Sequence, residues 1–274
     1  TIGVMSQPED ICLLRHDGSG KNAFKNPLSF RYLDDNFIES DAVKIGKTFM
    51  DYLKKTKDPR IHVYCSLKDG NTEFDKQFGL PNGYDSHTIA DAPSGSFVGL
   101  ENTSNFNINT ILRLDAPTIF LMPSETKLLL AEAVLRNWTN GNAEVLYKEA
   151  ITSSMKEQEI AYGTQGKITD EEIETYLAQN LLSTANNTEK LQIIGEQYWV
   201  ATFINGYESY ANWRRTGYPK LIPTNYSGSM SPGVIPTRLP YPTDEYSINR
   251  ANVDTANQQQ GADKVTTHIW WDID

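Results

Sequence analysis

The sequence predicts a mainly α protein: tetratricopeptide-like helix pairs with long loops and an extended, proline-rich C-terminal segment. Three observations carry this reading. Two successive pairs of helix-periodic segments with capping signals span 124–162 and 169–213. A long polar stretch, 67–117, is rich in Gly, Asn, Ser and Pro and holds no helical period, yet aromatics recur through it. Six prolines then fall between Pro219 and Asp244. The expected organisation is a single domain over 1–274. Its parts are a loop-rich region over 57–123, helical pairs over 124–216 and an extended wrapping segment over 217–274.

The elements follow in order. Ile11 to Leu14 reads as one short element, and Asp17 to Lys25 as turns. Ser40 is a candidate N-cap for a helix running to Lys55, because Asp41 suits a positive first turn and Val43, Gly46, Met50 and Leu53 share a face. Asp58-Pro59 stops it. From Arg60 to Ser66 apolar residues alternate (Ile61, Val63, Cys65), which predicts a short strand. Loops as long as 67–117 are functional or disordered. Phe74, Phe78, Tyr84, Phe97 and Phe106 argue for an ordered one, since disordered chain is poor in aromatics.

The helical half is better signposted. Ser124 and Glu125 open a helix to Arg136 that is apolar on more than one side. The turn Trp138–Asn142 breaks it, and a second helix runs from Ala143 to about Tyr162, with Gly163 at its C′ position. Thr169 and Glu172 have the spacing of a capping box for a third. Asn186 and Glu189 start a fourth, read as one long helix from about Thr188 to Trp213, with Arg214 and Arg215 at its negative end and Gly217 closing it. Two apolar stripes on this helix place it between neighbours. The prolines after it predict helix-free chain wrapping over the bundle. The last thirty residues are polar until Ile269-Trp270-Trp271, read as a docked terminal anchor. Both helix pairs have short turns and small residues at contact positions, but no clean repeat period is present.

Composition is that of an ordinary globular chain. Of the 274 residues 39% are apolar and 22% charged, so the core does not need staples. The net charge of −10 disfavours generic nucleic-acid binding. Mean hydropathy is −0.49 and no apolar run approaches a membrane span. Cys12 and Cys65 are too few for a disulfide framework; a bridge between them or two free thiols are both open. The chain begins at Thr1 with no signal peptide, and reads as a mature chain or fragment whose targeting signal has been removed.

Catalytic and metal motifs are missing. His16, His62, His87 and His268 have no partner at metal-ligand spacing, so neither a metal nor a cofactor is expected. Gly18-Ser19-Gly20-Lys21 fails as a phosphate loop, because Arg15 stands where its first glycine belongs and Asn22 follows the lysine. There is no G-x-S-x-G. Asp34-Asp35 and Glu171-Glu172 are sequence neighbours that do not face each other on a helix, and Glu171 and Glu172 read as first-turn acids. Four N-x-[ST] sequons, at Asn102, Asn137, Asn186 and Asn225, are what chance gives in an Asn-rich chain.

The loop aromatics are the more promising chemistry. A sugar ring stacks its C–H face on an aromatic side chain, and its hydroxyls pair with amides and carboxylates. The loop region has both kinds of group. The alternative for each ring is that it pins the loop to the scaffold.

The C-terminal half carries a recognisable combination. From Glu189 it reads EKLQIIGEQYWV, from Asn205 NGYESYANWRRTGYP and from Ile235 IPTRLPYPTDE. Asn249, Asn252 and Ile269-Trp-Trp-Asp follow. Upstream stand Asp58-Pro59-Arg60, Gly79-Leu-Pro-Asn-Gly83 and Ser124-Glu-Thr-Lys-Leu-Leu-Leu-Ala-Glu-Ala133. Over residues 58–274 this resembles the SusD/RagB-like nutrient-binding outer-membrane lipoproteins, the surface partners of TonB-dependent (SusC-like) transporters. The resemblance implies an all-α, tetratricopeptide-based scaffold that captures oligosaccharide or another nutrient and passes it on without catalysis. Family members have a longer N-terminal half starting at a lipidated cysteine, and neither Cys12 nor Cys65 matches that position. The resemblance thus implies membrane attachment only through a lipid anchor in that half. Trp213, Arg214, Arg215, Trp270 and Trp271 are read as residues that hold helices and wrapping chain together. On this reading Tyr84, Phe97 and Phe106 are the candidates for sugar stacking, and Asn82 and Asp85 for hydroxyl contacts, with 57–123 as the ligand side. The alternatives are a glycan-cleaving hydrolase on a helical scaffold and a helical-repeat protein-interaction module.

Overall fold

The computed structural model describes residues 3–34, 44–84, 87–182, 185–226 and 228–272. Among them are ten helices: α1 Pro27–Asp34, α2 Lys47–Thr56, α3 Ile61–Tyr64, α4 Pro123–Leu135, α5 Ala143–Tyr162, α6 Asp170–Gln179, α7 Asn187–Ala201, α8 Gly206–Thr216, α9 Thr243–Ile248 and α10 Arg250–Gln260. The strands form two small antiparallel pairs. β1 (Cys12–Leu14) pairs with β4 (Thr118–Leu121), Leu14 opposite Thr118, and β2 (Cys65–Ser66) with β3 (Asn105–Phe106), Cys65 opposite Phe106. The fold is mainly α. The expected Ser40 cap lies outside the described residues.

Helix boundaries follow capping chemistry. Thr169 accepts from the Glu172 amide while the Glu172 carboxylate accepts from the Thr169 amide at 2.8 Å. Asn186 and Glu189 do the same for α7. Asn142 caps α5, and Gly163, with φ 68°, ends it. These bonds satisfy amide groups that a helix N-terminus otherwise leaves unpaired.

Three expectations fail for local reasons. The single helix from 188 to 213 is two, α7 and α8. Thr202 turns its hydroxyl back to the Tyr198 carbonyl at 2.7 Å, and Asn205 caps a new helix by accepting from the Glu208 amide at 3.5 Å. The predicted strand at 60–66 is the turn of helix α3 followed by β2. Asp58 accepts from both the Arg60 amide (3.0 Å) and the Arg60 Nε (2.9 Å), which curls the chain. The anchor at 269–271 is only half docked: Trp271 lies against Arg214, whose guanidinium is 4.6 Å from its ring centroid, but Trp270 is 80% exposed. The sequence reading also missed α9 and α10, whose polar faces give no periodic signal.

The helices α4 and α5 pack on each other and on α7. Their shared core holds Leu128, Tyr147, Ile151, Met155 and Ile194. An aromatic cluster joins α2 to the end of α7: Phe49 stacks on Phe203 at 4.3 Å and meets Trp199 edge-on at 4.9 Å. Arg60 is fully buried at the centre. Its guanidinium pairs with Asp58, donates to Ser154 of α5 at 2.9 Å and to Gln197 of α7 at 2.7 Å. Its charge is thereby matched and four of its five N–H donors are used.

Several residues of the matched C-terminal motifs hold the fold together. Arg215 holds Glu132 of α4 with two bonds, 2.7 and 2.6 Å. Gly217 takes a left-handed conformation that closes α8, and Tyr218-Pro219 is cis. Tyr218 then crosses α7 over Gly195, where an added Cβ would stand 2.5 Å from the Tyr218 Cβ. Further on, Asp263 clamps the proline-rich chain. It pairs with buried Arg238 at 2.8 Å and accepts from the Tyr241 amide and the Tyr246 hydroxyl. Cys12 and Cys65 are free thiols, and burial pushes the Cys65 thiol up.

Candidate functional site

The loop 79–84 is fixed by close backbone packing. The Leu80 amide donates to the Ile45 carbonyl and the Lys47 amide to the Leu80 carbonyl, both at 2.7 Å, so the loop runs beside the start of α2. Gly79 permits this approach: a Cβ there would sit 2.4 Å from the Lys47 Cα. At the other end Gly83 has φ 87°, and a Cβ on it would sit 2.9 Å from Thr224. Both glycines are therefore required by geometry, one for contact with the helix and one for a left-handed turn under the wrapping segment.

This packing leaves a cleft of about 520 Å³ between the loop, α2, residues 93–96 and residues 222–226. Asn82 and Tyr84 of the loop line it, and so do Asn225 and Tyr226 of the wrapping segment. Lys47 and Asp51 of α2 also line it and pair with each other at 2.6 Å, so their charges largely cancel. The cleft thus offers two tyrosine rings, two carboxamides and a neutralised ion pair. Such a surface can stack an apolar ring face and hydrogen-bond its edges.

The candidates named from sequence separate here. Asn82 and Tyr84 come together in the cleft. Phe97 is half-buried beside Ser96, which lines the cleft, but does not itself line it. Asp85 lies outside the described residues. Phe106 departs from expectation: it sits in β3 with its ring 5.7 Å from Tyr32 and 5.5 Å from Phe203, packed onto the core. Pairing with β2 draws that ring inward. Sequence reasoning missed Thr224, Asn225 and Tyr226, because their segment reads only as proline-rich wrapping. The signal was an Asn-Tyr pair between Pro223 and Gly228, the same pairing of amide and ring as in the loop. Phe74 lines a separate groove of about 570 Å³ beside His62 and α6.

Among the described residues no group of three His, Cys, Asp or Glu side chains is placed to hold a metal, and no helix is long and apolar enough to cross a membrane.

Among curated proteins no sequence matches. Among solved structures a chitin-binding protein is similar, with 29% identity, a TM-score of 0.78 and alignment over 99% of this chain and 57% of that one. A chitin-binding SusD homologue from Flavobacterium johnsoniae (23% identity, TM-score 0.74, 99% and 56% covered) shares the fold. So does a SusD homologue from Bacteroides fragilis NCTC 9343 (23%, TM-score 0.73, 98% and 59%). The chain therefore spans less than two thirds of the length of each. A sequence profile described as starch-binding and associating with the outer membrane matches residues 1–242. That match covers most of the chain, and the chain belongs to this SusD-like family.

Proposed function

We propose that this chain is the glycan-binding part of a cell-surface nutrient-capture protein, that it holds an oligosaccharide in the cleft between Tyr84 and Tyr226, and that the whole protein passes the sugar to a TonB-dependent transporter without cleaving it. The observation that carries the reading is that two tyrosines and two carboxamides, from two distant segments, line one cleft. Tyr84 and Tyr226 stack the ring faces; Asn82 and Asn225 bond the hydroxyls. Phe97 and Asp85 are proposed as further contacts with the bound sugar. The near-neutral charge of the cleft suits an uncharged glycan, as do the family description and the chitin-binding neighbour. In its whole form the protein is held at the outer membrane by a lipid anchor.

The test is calorimetric titration with maltoheptaose and chitohexaose. A saturable isotherm with either one, lost in Tyr84→Ala with the fold intact by circular dichroism, is the expected result. Silence with both sugars, or affinity unchanged in Tyr84→Ala, removes the cleft as the site. Release of new reducing ends would instead favour the hydrolase alternative.

A further inference from the structure

A second cavity, of about 280 Å³, opens among the helices between α2, α5, the end of α6 and α7. It differs in character from the loop cleft, being walled mostly by side chains of helices, with Asn180 and Leu181 just after α6. At roughly 30 Å³ per water, its volume is that of about nine waters, too much for one bridging molecule to fill.

The polar groups around it are partly used, and what remains forms a pattern. Gln197 donates to the Tyr52 hydroxyl at 3.0 Å and to Tyr176 at 2.8 Å, and accepts from Arg60. Tyr52 is thus an acceptor in that network and keeps its own proton to donate. Asn180 spends its amide hydrogens on the Tyr176 and Thr56 carbonyls, which leaves its carbonyl oxygen. Glu196 accepts from Gln192 through Oε1 at 2.7 Å, which leaves Oε2. Tyr147 is 1% exposed, and its hydroxyl has no hydrogen-bond partner in the protein among the described residues. Ile193 supplies an apolar wall. The surplus is two phenolic donors and two oxygen acceptors around one apolar face.

We propose that this cavity is a second ligand site, taking a neutral polyol of the size of one sugar ring. Each hydroxyl of such a ligand both donates and accepts, which answers phenols and oxygens set side by side. A buried phenol without a partner is costly to keep, and a ligand hydroxyl satisfies it. An anion is disfavoured, since the nearby cation, Arg60, is committed to Asp58, Ser154 and Gln197, and Glu196 would repel it. The ligand is either a free monosaccharide or the terminal unit of a longer chain. This site stands independently of the loop cleft.

The test is two-dimensional NMR titration of the chain with D-glucose, N-acetyl-D-glucosamine and glycerol, and separately with chitohexaose. The expected result is saturable shifts confined to α2, α5 and α7, weakened roughly threefold to tenfold in Tyr147→Phe and in Glu196→Gln. Tyr147→Phe removes one unpaired oxygen, so folding is retained; Tyr84→Ala should leave these shifts unchanged. Binding by the small sugars points to a free ligand, and binding by chitohexaose alone to a chain end. The proposal is overturned if no probe saturates. It is equally overturned if both variants bind as the parent does, or if the shifts map to residues 81–84 and 222–226.

Discussion

Gly83 and Thr224 touch across the rim of the cleft so closely that a single methyl group on the glycine would stand 2.9 Å from the threonine Cβ. The two residues come from distant parts of the chain, and both line the cleft. Replacing Gly83 by Ala imposes two burdens: the clash, and a side chain at φ 87°. Gly83→Ala should cost about 1–2 kcal/mol by urea denaturation and weaken glycan binding. Adding Thr224→Ser relieves part of the clash but none of the backbone burden, so recovery should be partial. Full recovery would show that the left-handed turn is unimportant.

Arg60 is the most demanding side chain in the core. Truncation to Ala leaves the Asp58 carboxylate buried without its cation, and should destabilise by about 3–5 kcal/mol. Asp58→Asn combined with Arg60→Met should recover a large share of that loss. Equilibrium unfolding of the single and double variants measures the coupling.

The Arg215–Glu132 pair is held by two parallel bonds, with Arg136 as a third partner at 2.7 Å. Burial raises the Glu132 carboxyl, and the Arg215 and Arg136 bonds more than offset this, holding it below its usual range. Arg215→Lys keeps the charge but not the fork. It should lower stability by about 1 kcal/mol, and Arg215→Ala by about 1–3 kcal/mol. Equal losses in the two would mean that charge alone matters.

Glu125 on α4 is buried against Glu208 and Glu157, and Tyr198 lies beside it. Burial first, then the two neighbouring carboxylates, push it from 4.5 up to about 8, and its Oε1 has no partner among the described residues. Between those values the folded chain keeps a proton that the unfolded chain has released. Stability from this group is therefore complete below about pH 4.5 and declines as pH rises to 8. Glu125→Gln should flatten that decline and raise stability at pH 8 by about 1–3 kcal/mol. Urea denaturation at pH 5 and pH 8 checks both.

Much of the scaffold was legible before any coordinates. The capping signals at Thr169 and Asn186 found their helices because a cap is local chemistry, decided within four residues. The break between α7 and α8 was hidden, since apolar residues continue across it and only Thr202 and Asn205 redirect the backbone. Alternation at 60–66 misled because Ile61, Val63 and Tyr64 are all buried, and then the period says nothing. At the cleft, Asn82 and Tyr84 were readable as a ring and an amide in a polar loop. Phe106 was readable in the same way, and tertiary packing took it into the core. Tyr226 was invisible because its relation to Tyr84 is made only by the path of the wrapping segment.

That path bears on when the cleft comes into being. Residues 81–84 and 222–226 both line it, with α4 to α8 between them in sequence. Such distant pairings close late, after the loop-closure entropy of the intervening chain has been met by the helices. During synthesis the loop leaves the ribosome long before residues 222–226 are made. The nascent chain thus acquires α4 to α8 before the cleft is complete.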